Sequence, residues 1–217
     1  MQAFYFASQS LGGMQLQQAL ADLAEVRGRL ATVQRFDGYS SWGAIASGAV
    51  AIVAGVAQFF LVPAPHGAAE ARTYFTLWLG CLVLALAINY GAILAWRAHR
   101  RGFQTDAQIR TVGMSILPAI AAGGVITIAF IMRGLFDLLP AIWCATYALG
   151  LFASRAMVPR DVVYVAVAFG TFATFLLFAP NIDPLAWWVM PFAFGGGQIA
   201  IGIIVRRQAG PQRSEIK

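Results

Sequence analysis

The stretch Pro191-Phe-Ala-Phe-Gly-Gly-Gly-Gln-Ile-Ala-Ile-Gly-Ile-Ile-Val-Arg206 decides how the chain is interpreted. It is apolar enough to lie in lipid, yet its proline, three adjacent glycines and glutamine weaken a helix or need hydrogen-bond partners. A proline inside a span favours a kink, and carbonyl groups freed at membrane depth need protein or water as partners. The stretch is therefore a candidate hinge or binding element, and a kink that serves packing alone is the alternative.

Residues 118–133 resemble this stretch. Aligned without gaps, seven of sixteen positions are identical: the proline, two glycines, three isoleucines and the final arginine. The topology derived below makes the two segments antiparallel, and an inverted three-plus-three repeat would leave such a shared motif. Chance similarity between two glycine-rich helices is the alternative.

The composition indicates a protein whose solvent is lipid. Of 217 residues, 59% are hydrophobic and 11% are charged, whereas a soluble domain has about 25% charged residues. Fourteen of the fifteen basic residues are arginines, and nearly all of them flank apolar segments. That placement predicts control of membrane topology, with the lipid bilayer as partner and no nucleic acid.

Six apolar segments follow residue 39, at about 40–62, 74–96, 112–132, 138–154, 162–179 and 185–205. Each is near the roughly 20 residues that cross a bilayer, and the fourth is marginal. They must be helices, because a barrel needs alternating segments of roughly ten residues. We expect an all-α fold, an integral membrane bundle of six transmembrane helices with an N-terminal amphipathic helix. Five spans, with the fourth a half-helix, is the alternative.

The expected domains are a cytoplasmic amphipathic helix in 1–38, the transmembrane domain in 39–206 and a basic cytoplasmic tail in 207–217. Within the first, residues 14–36 place leucine, alanine and valine on one helical face. That face could pack on a second copy in a homo-oligomer or bind a cytoplasmic protein. It could also lie in the membrane interface or cover the bundle's own cytoplasmic face.

The basic residues fix the expected orientation. With the N-terminus inside, thirteen basic residues are cytoplasmic and only Arg72 and Arg133 are outside. This asymmetry predicts a multi-pass protein of the cell inner membrane with both termini cytoplasmic. Trp42 and Trp96 then fall at inner ends of spans, and Trp187 and Trp188 fall at an outer end. A five-span chain would place its basic tail outside, against the same rule.

Several chemistries are excluded by what the spans lack. No Asp, Glu, Lys, Arg or His lies in the middle of a predicted span, which argues against a proton relay or an intramembrane carboxylate enzyme. His66 and His99 are in loops on opposite sides, so they form neither a haem ligand pair nor a zinc site. Cys81 and Cys144 are expected to be small core residues. We therefore expect no catalytic residues, metal or cofactor, and no enzyme.

Neutral polar residues are the remaining candidates for a site. Gln58, Asn89, Tyr90, Tyr147 and Gln198 either hydrogen-bond between helices or line a cavity for a neutral or amphipathic ligand. Small-residue pairs, Ala44 with Gly48, Ala51 with Gly55 and Ala119 with Gly123, are expected to pack helices closely. The candidate cavity or hinge comprises Gln58, Asn89, Tyr90, Pro118, Gly123, Gly124, Pro191, Gly195, Gly196, Gly197 and Gln198.

The N-terminal region carries one resemblance. Arg35-Phe-Asp-Gly-Tyr39 lies between the amphipathic residues 21–29 and the small-residue-rich residues 44–55. In this the chain resembles an uncharacterised family of bacterial multi-pass inner-membrane proteins. The resemblance implies a bacterial cytoplasmic membrane and brings no activity, substrate or cofactor.

Two functions follow from these expectations. The first is a transporter-like protein for a neutral or amphipathic solute, with kinked third and sixth spans. The alternative is a non-transporting sensor, scaffold or accessory subunit that docks a cytoplasmic partner through residues 14–36 and the basic loop 97–110. The sequence names neither substrate nor partner.

Overall fold

The structure, a computed structural model, describes residues 40–99 and 103–209. Within these residues it contains helices and no strands. The predicted helix in 1–38 and the tail beyond residue 209 lie outside the described residues. The described helices are α1 Ser41–Leu61, α2 Ala68–His99, α3 Phe103–Arg133, α4 Leu139–Ala153, α5 Val162–Phe178 and α6 Gly196–Ala209, with a 3₁₀ turn at Phe136–Leu138 and a π-helical turn at Pro191–Gly195.

Four of the described stretches are long and apolar enough to cross a membrane: Ser41–Leu61, Ala68–His99, Ile109–Arg133 and Phe136–Ala153. Val162–Phe178 is apolar but shorter. The chain is therefore all-helical where it is described, and it has several helices that could span a bilayer, as the composition predicted. The sixth helical stretch begins later than expected, at residue 189, because Leu185 lies in the preceding loop rather than in a helix, and it continues to residue 209.

Local sequence explains where the helices begin and end. The Oγ atom of Ser40 accepts a hydrogen bond of 3.1 Å from the Gly43 amide and caps α1, a role for which serine is favoured. Gly134, at φ 70°, ends α3. The amides of Leu135 and Gly134 then bond to the carbonyl groups of Phe130 and Ile131, which is the pairing of a Schellman cap.

The helices pack in two groups. α1 contacts α2, α6 and the π-helical turn, while α4 contacts α3 and α5. α5 packs lightly against α6, and α2 and α3 hardly touch. Suppose that α1, α2 and α3 are exchanged with α4, α5 and α6. The contact between α1 and α2 then corresponds to the contact between α4 and α5, and the contact between α1 and α6 corresponds to the contact between α4 and α3. These two pairs of contacts correspond as an internal repeat would require, whereas α5–α6 and α2–α3 do not.

Neighbouring helices run antiparallel. Gly55 of α1 meets Pro191, whereas Gly202 of α6 meets Ser41 at the start of α1. The same reversal relates α1 to α2, α3 to α4, α4 to α5 and α5 to α6. The end that holds the start of α1 and the end of α6 is called the tail end. The other, the cap end, holds residues 62–67, 134–138 and 179–188.

Charge is distributed unequally between these ends. Among the described side chains, the tail end carries one carboxylate, Asp161, and six arginines, which are Arg97, Arg110, Arg155, Arg160, Arg206 and Arg207. The cap end carries two arginines and three carboxylates, which are Arg72, Arg133, Glu70, Asp137 and Asp183. Tryptophan lies near both ends, and the Arg206 guanidinium stands 5.2 Å from the centre of the Trp42 ring at the tail end.

Candidate functional site

Gln58 links three parts of the bundle. Its side chain is fully buried on α1. Its Oε1 atom accepts a hydrogen bond of 2.8 Å from the indole nitrogen of Trp78 on α2. Its Nε2 atom donates a bond of 2.7 Å to the carbonyl oxygen of Leu185 in the cap-end loop. Both ends of the amide are thus used in joining α1 to α2 and to the loop.

Asn89 and Tyr90 are adjacent but occupy different environments. The Nδ2 atom of Asn89 donates to Ser47 Oγ at 2.6 Å and to the Ala85 carbonyl at 2.9 Å, so it joins α2 to α1. Tyr90 is 57% exposed and faces outward. Asn89 therefore fits the interhelical interpretation, and Tyr90 lies outside the core.

Gln198 lies in an aromatic environment. It donates from Nε2 to the hydroxyl of Tyr147 at 2.7 Å. The Tyr147, Phe169 and Phe194 rings contact one another, with centroids 4.7 to 5.4 Å apart. The Oε1 atom of Gln198 is buried and has no hydrogen-bond partner among the described residues. The bundle interior thus offers one unused acceptor at this position.

The Pro191 region is a tight helix contact at the start of the sixth helical segment. Only two helical residues precede Pro191, which opens the π-helical turn. This corrects the expectation of a proline inside a span. In the first turn of a helix, backbone N–H groups have no carbonyl acceptor within the helix, so the N–H that proline lacks costs little there. A Cβ atom on Gly55 would overlap the Pro191 ring, and one on Gly48 would lie 2.8 Å from the Gly195 carbonyl oxygen. The small pairs in α1 therefore do pack helices, as predicted.

The resembling segment in α3 is built differently. α3 continues through Pro118, which is exposed. A Cβ atom on Gly123 would lie 3.1 Å from Thr146 Oγ1 of α4, whereas one on Gly124 would have no described atom within 4 Å. Of the aligned glycines, Gly196 is open and Gly197 is tight against Phe169. The two segments share residue types but differ in their surroundings, so Pro118 and Pro191 do not meet in one site.

Further polar side chains of the interior were not predicted, among them Ser47, Tyr74, Trp78, Thr127 and Trp143. The Trp143 indole nitrogen donates to Thr127 Oγ1 at 2.9 Å between α4 and α3. Tyr74 is 1% exposed, and its hydroxyl has no partner among the described residues. Tryptophan and tyrosine inside apolar segments were the available signal, since each brings a polar atom that seeks a partner.

A cavity of about 310 Å³ opens at the cap end. It is lined by Pro65, His66, Gly67, Ala68, Ala71, Gly134, Phe136, Asp137 and Leu185. None of the eleven candidate residues lines it. The candidates are instead distributed along the bundle, and those that are buried contact other helices.

Within the described part of the chain, no group of three or more His, Cys, Asp or Glu side chains is placed to hold a metal ion. Comparison with known proteins adds no assignment. No family model, curated protein or solved structure matches the chain. The site must therefore be judged by its own chemistry, which consists of amides, hydroxyl groups, indoles and aromatic rings.

Proposed function

We propose that the chain is an integral protein of a bacterial cytoplasmic membrane, with six spans and both termini cytoplasmic. The antiparallel alternation of α1 to α6 supports this proposal, as does the excess of arginine at the tail end. α5 has 17 residues, about 25 Å of helix at 1.5 Å per residue. That length is close to a hydrocarbon core of about 30 Å.

Single-cysteine labelling tests this orientation. In a chain with Cys81 and Cys144 replaced by serine, His66→Cys and Asp183→Cys at the cap end should react with an impermeant maleimide in intact spheroplasts. Arg155→Cys and Arg160→Cys at the tail end should react only after the membrane is opened. Labelling of both ends from outside would contradict six spans, and the reverse pattern would contradict the orientation.

We further propose that the bundle is transporter-like and handles a small neutral or amphipathic solute. The observation that carries this is a pair of buried polar atoms, the Tyr74 hydroxyl and Gln198 Oε1, that have no hydrogen-bond partner in the described part of the chain. A buried polar group without a partner costs about 1–3 kcal/mol of stability. The presence of two such groups therefore favours a ligand that binds to them reversibly. The described interior holds no buried Asp, Glu, Lys, Arg or His, so that ligand would be uncharged.

Solute flux tests this activity. Purified protein is reconstituted into phosphatidylcholine vesicles, and light scattering follows re-swelling after a step of glycerol, urea or acetamide. We expect faster entry of at least one of these solutes than in protein-free vesicles. Gln198→Leu should reduce that entry, whereas the outward-facing Tyr90→Phe should not. Entry equal to that of protein-free vesicles for all three would count against transport of this class.

The alternative is a non-transporting module that docks a cytoplasmic partner. It is favoured by hydrogen bonds that use candidate side chains to join α1 to α2, because buried Gln58 bonds Trp78 and half-buried Asn89 bonds Ser47. Deleting residues 1–35 should then abolish co-purification of a specific partner while membrane insertion persists. Co-purification that is unchanged by the deletion would count against docking through that segment.

A further inference from the structure

The Tyr74 hydroxyl is an unused hydrogen-bonding group near the cap end. The side chain is 1% exposed, and its oxygen has no partner among the described residues. Its buried neighbours are mainly apolar: Ala51, Ala54, Val62, Trp78, Leu185 and Met190 form one buried cluster with it, and the carboxylate of Asp183 is a nearby charged group. A hydroxyl in such a place can donate one hydrogen bond and accept others, so it is suited to a small polar molecule.

The cap-end cavity lies against this cluster. Leu185 belongs to the Tyr74 cluster and Phe136 packs against it, and both residues also line the cavity. Ala71, another lining residue, precedes Tyr74 by one turn on the same face of α2. The cavity and the Tyr74 cluster therefore share a boundary formed by the side chains of Leu185 and Phe136.

The backbone of Leu185 is bonded at both its amide and its carbonyl group, while its side chain is held by apolar packing alone. It belongs to a non-helical segment, where its amide bonds to Asp183 Oδ1 at 2.9 Å and its carbonyl accepts from Gln58. The neighbouring Trp187 amide donates to the Pro63 carbonyl at 3.0 Å. The Gln58 bond thus draws this segment toward the interior. A loop side chain moves more readily than one in a packed helix.

We propose that the cap-end cavity is an entrance that leads, when Leu185 moves, to a binding site at the Tyr74 hydroxyl. Its ligand is a small uncharged solute that carries a hydroxyl or amide group. The volume of about 310 Å³ is at the low end for ligand pockets, which predicts a small ligand. The apolar cluster around Tyr74 disfavours ions. This inference rests on the proposed transport function and names its substrate class.

Fluorine NMR on fluorotyrosine-labelled protein in lipid nanodiscs tests the site without requiring transport. The chain has six tyrosines, and Tyr74→Phe assigns the resonance of Tyr74 by its loss. Acetamide and glycerol are titrated separately. We expect a saturable shift of the Tyr74 resonance with at least one of them. The resonance of Tyr164, which is 76% exposed on α5, should move only linearly.

Leu185→Ala provides the second variant. It should lower the solute concentration at which the Tyr74 shift is half-complete, and a response in this variant alone would also support the inference, because Leu185 then closes the route. A Tyr74 resonance that stays constant in both proteins, or that moves only as the Tyr164 resonance does, would overturn it. A saturable shift of the Tyr74 resonance, together with no solute entry into vesicles, would support the binding site and refute transport.

Discussion

The side-chain amide of Gln58 and the carbonyl oxygen of Leu185 are joined by a 2.7 Å hydrogen bond across 127 positions of sequence. This bond attaches the cap-end loop to α1, and the Trp78 indole fixes the other end of the same amide. A buried glutamine whose two ends serve two different segments is hard to replace, because no apolar side chain can satisfy both.

Gln58→Leu should therefore destabilise the protein. The substitution leaves the Trp78 N–H and the Leu185 carbonyl without their partner, at a cost of about 1–3 kcal/mol. Thermal unfolding in detergent, followed by tryptophan fluorescence, should show a lower midpoint. Trp188→Phe, on a partly exposed ring, is the control and should change little. A double-mutant cycle with Trp78→Phe should show coupling, and strict additivity would contradict the linked network.

Gly55→Ala should disrupt the contact between α1 and the sixth helical segment. The added methyl group would overlap the stiff Pro191 ring, and overpacking of this kind costs about 1–3 kcal/mol. Gly80→Ala is the matched control, since no described atom lies within 4 Å of its Cβ position. The same unfolding assay should show a loss for Gly55→Ala only.

The rescue experiment identifies the cause. Pro191→Ala removes the ring that the new methyl group meets, so Gly55→Ala combined with Pro191→Ala should recover part of the lost stability. If the stability loss of the double variant equals the sum of the losses in the two single variants, the clash is not between these two residues.

The three adjacent glycines should respond differently to alanine. A Cβ atom on Gly195 would lie 2.8 Å from Ile52 Cγ1, and one on Gly197 would overlap the Phe169 ring. Gly196 has open space. Gly197→Ala should lower the unfolding midpoint, whereas Gly196→Ala should be neutral or gain up to about 1 kcal/mol from helix propensity. Equal losses at all three positions would indicate that backbone flexibility, rather than packing, is required there.

Pro118→Ala should stabilise the chain. α3 continues through Pro118, whose side chain is exposed, so the substitution restores a backbone bond without removing a buried contact. The gain could reach about 3 kcal/mol in a helix interior. Urea unfolding in mixed micelles compares it with Pro191→Ala, which removes a ring packed on Gly55. A loss of stability in Pro118→Ala would imply that α3 depends on its proline.

Much of the architecture was predictable from residues alone. The segments predicted at 40–62 and 162–179 form α1 and α5 almost residue for residue. In a long apolar run between turn formers, the backbone N–H and C=O groups can bond to one another only within a helix. The small pairs of α1 were an equally local signal. The site was less predictable: Gln58 was a candidate among neutral polar residues, but its bonds to Trp78 and Leu185 were not predicted.

The stretch 191–206 shows where the limit lies. By itself the sequence determined a helix-forming apolar run with a proline and three glycines, since composition and spacing act over a few residues. Tertiary structure alone decided that Pro191 faces Gly55, that Gly197 faces Phe169 and that Gly196 faces none of the described atoms. Within residues 40–99 and 103–209 it also left the Tyr74 hydroxyl without a partner. These outcomes depend on which helices become neighbours, and close packing between distant segments is a property of the whole chain.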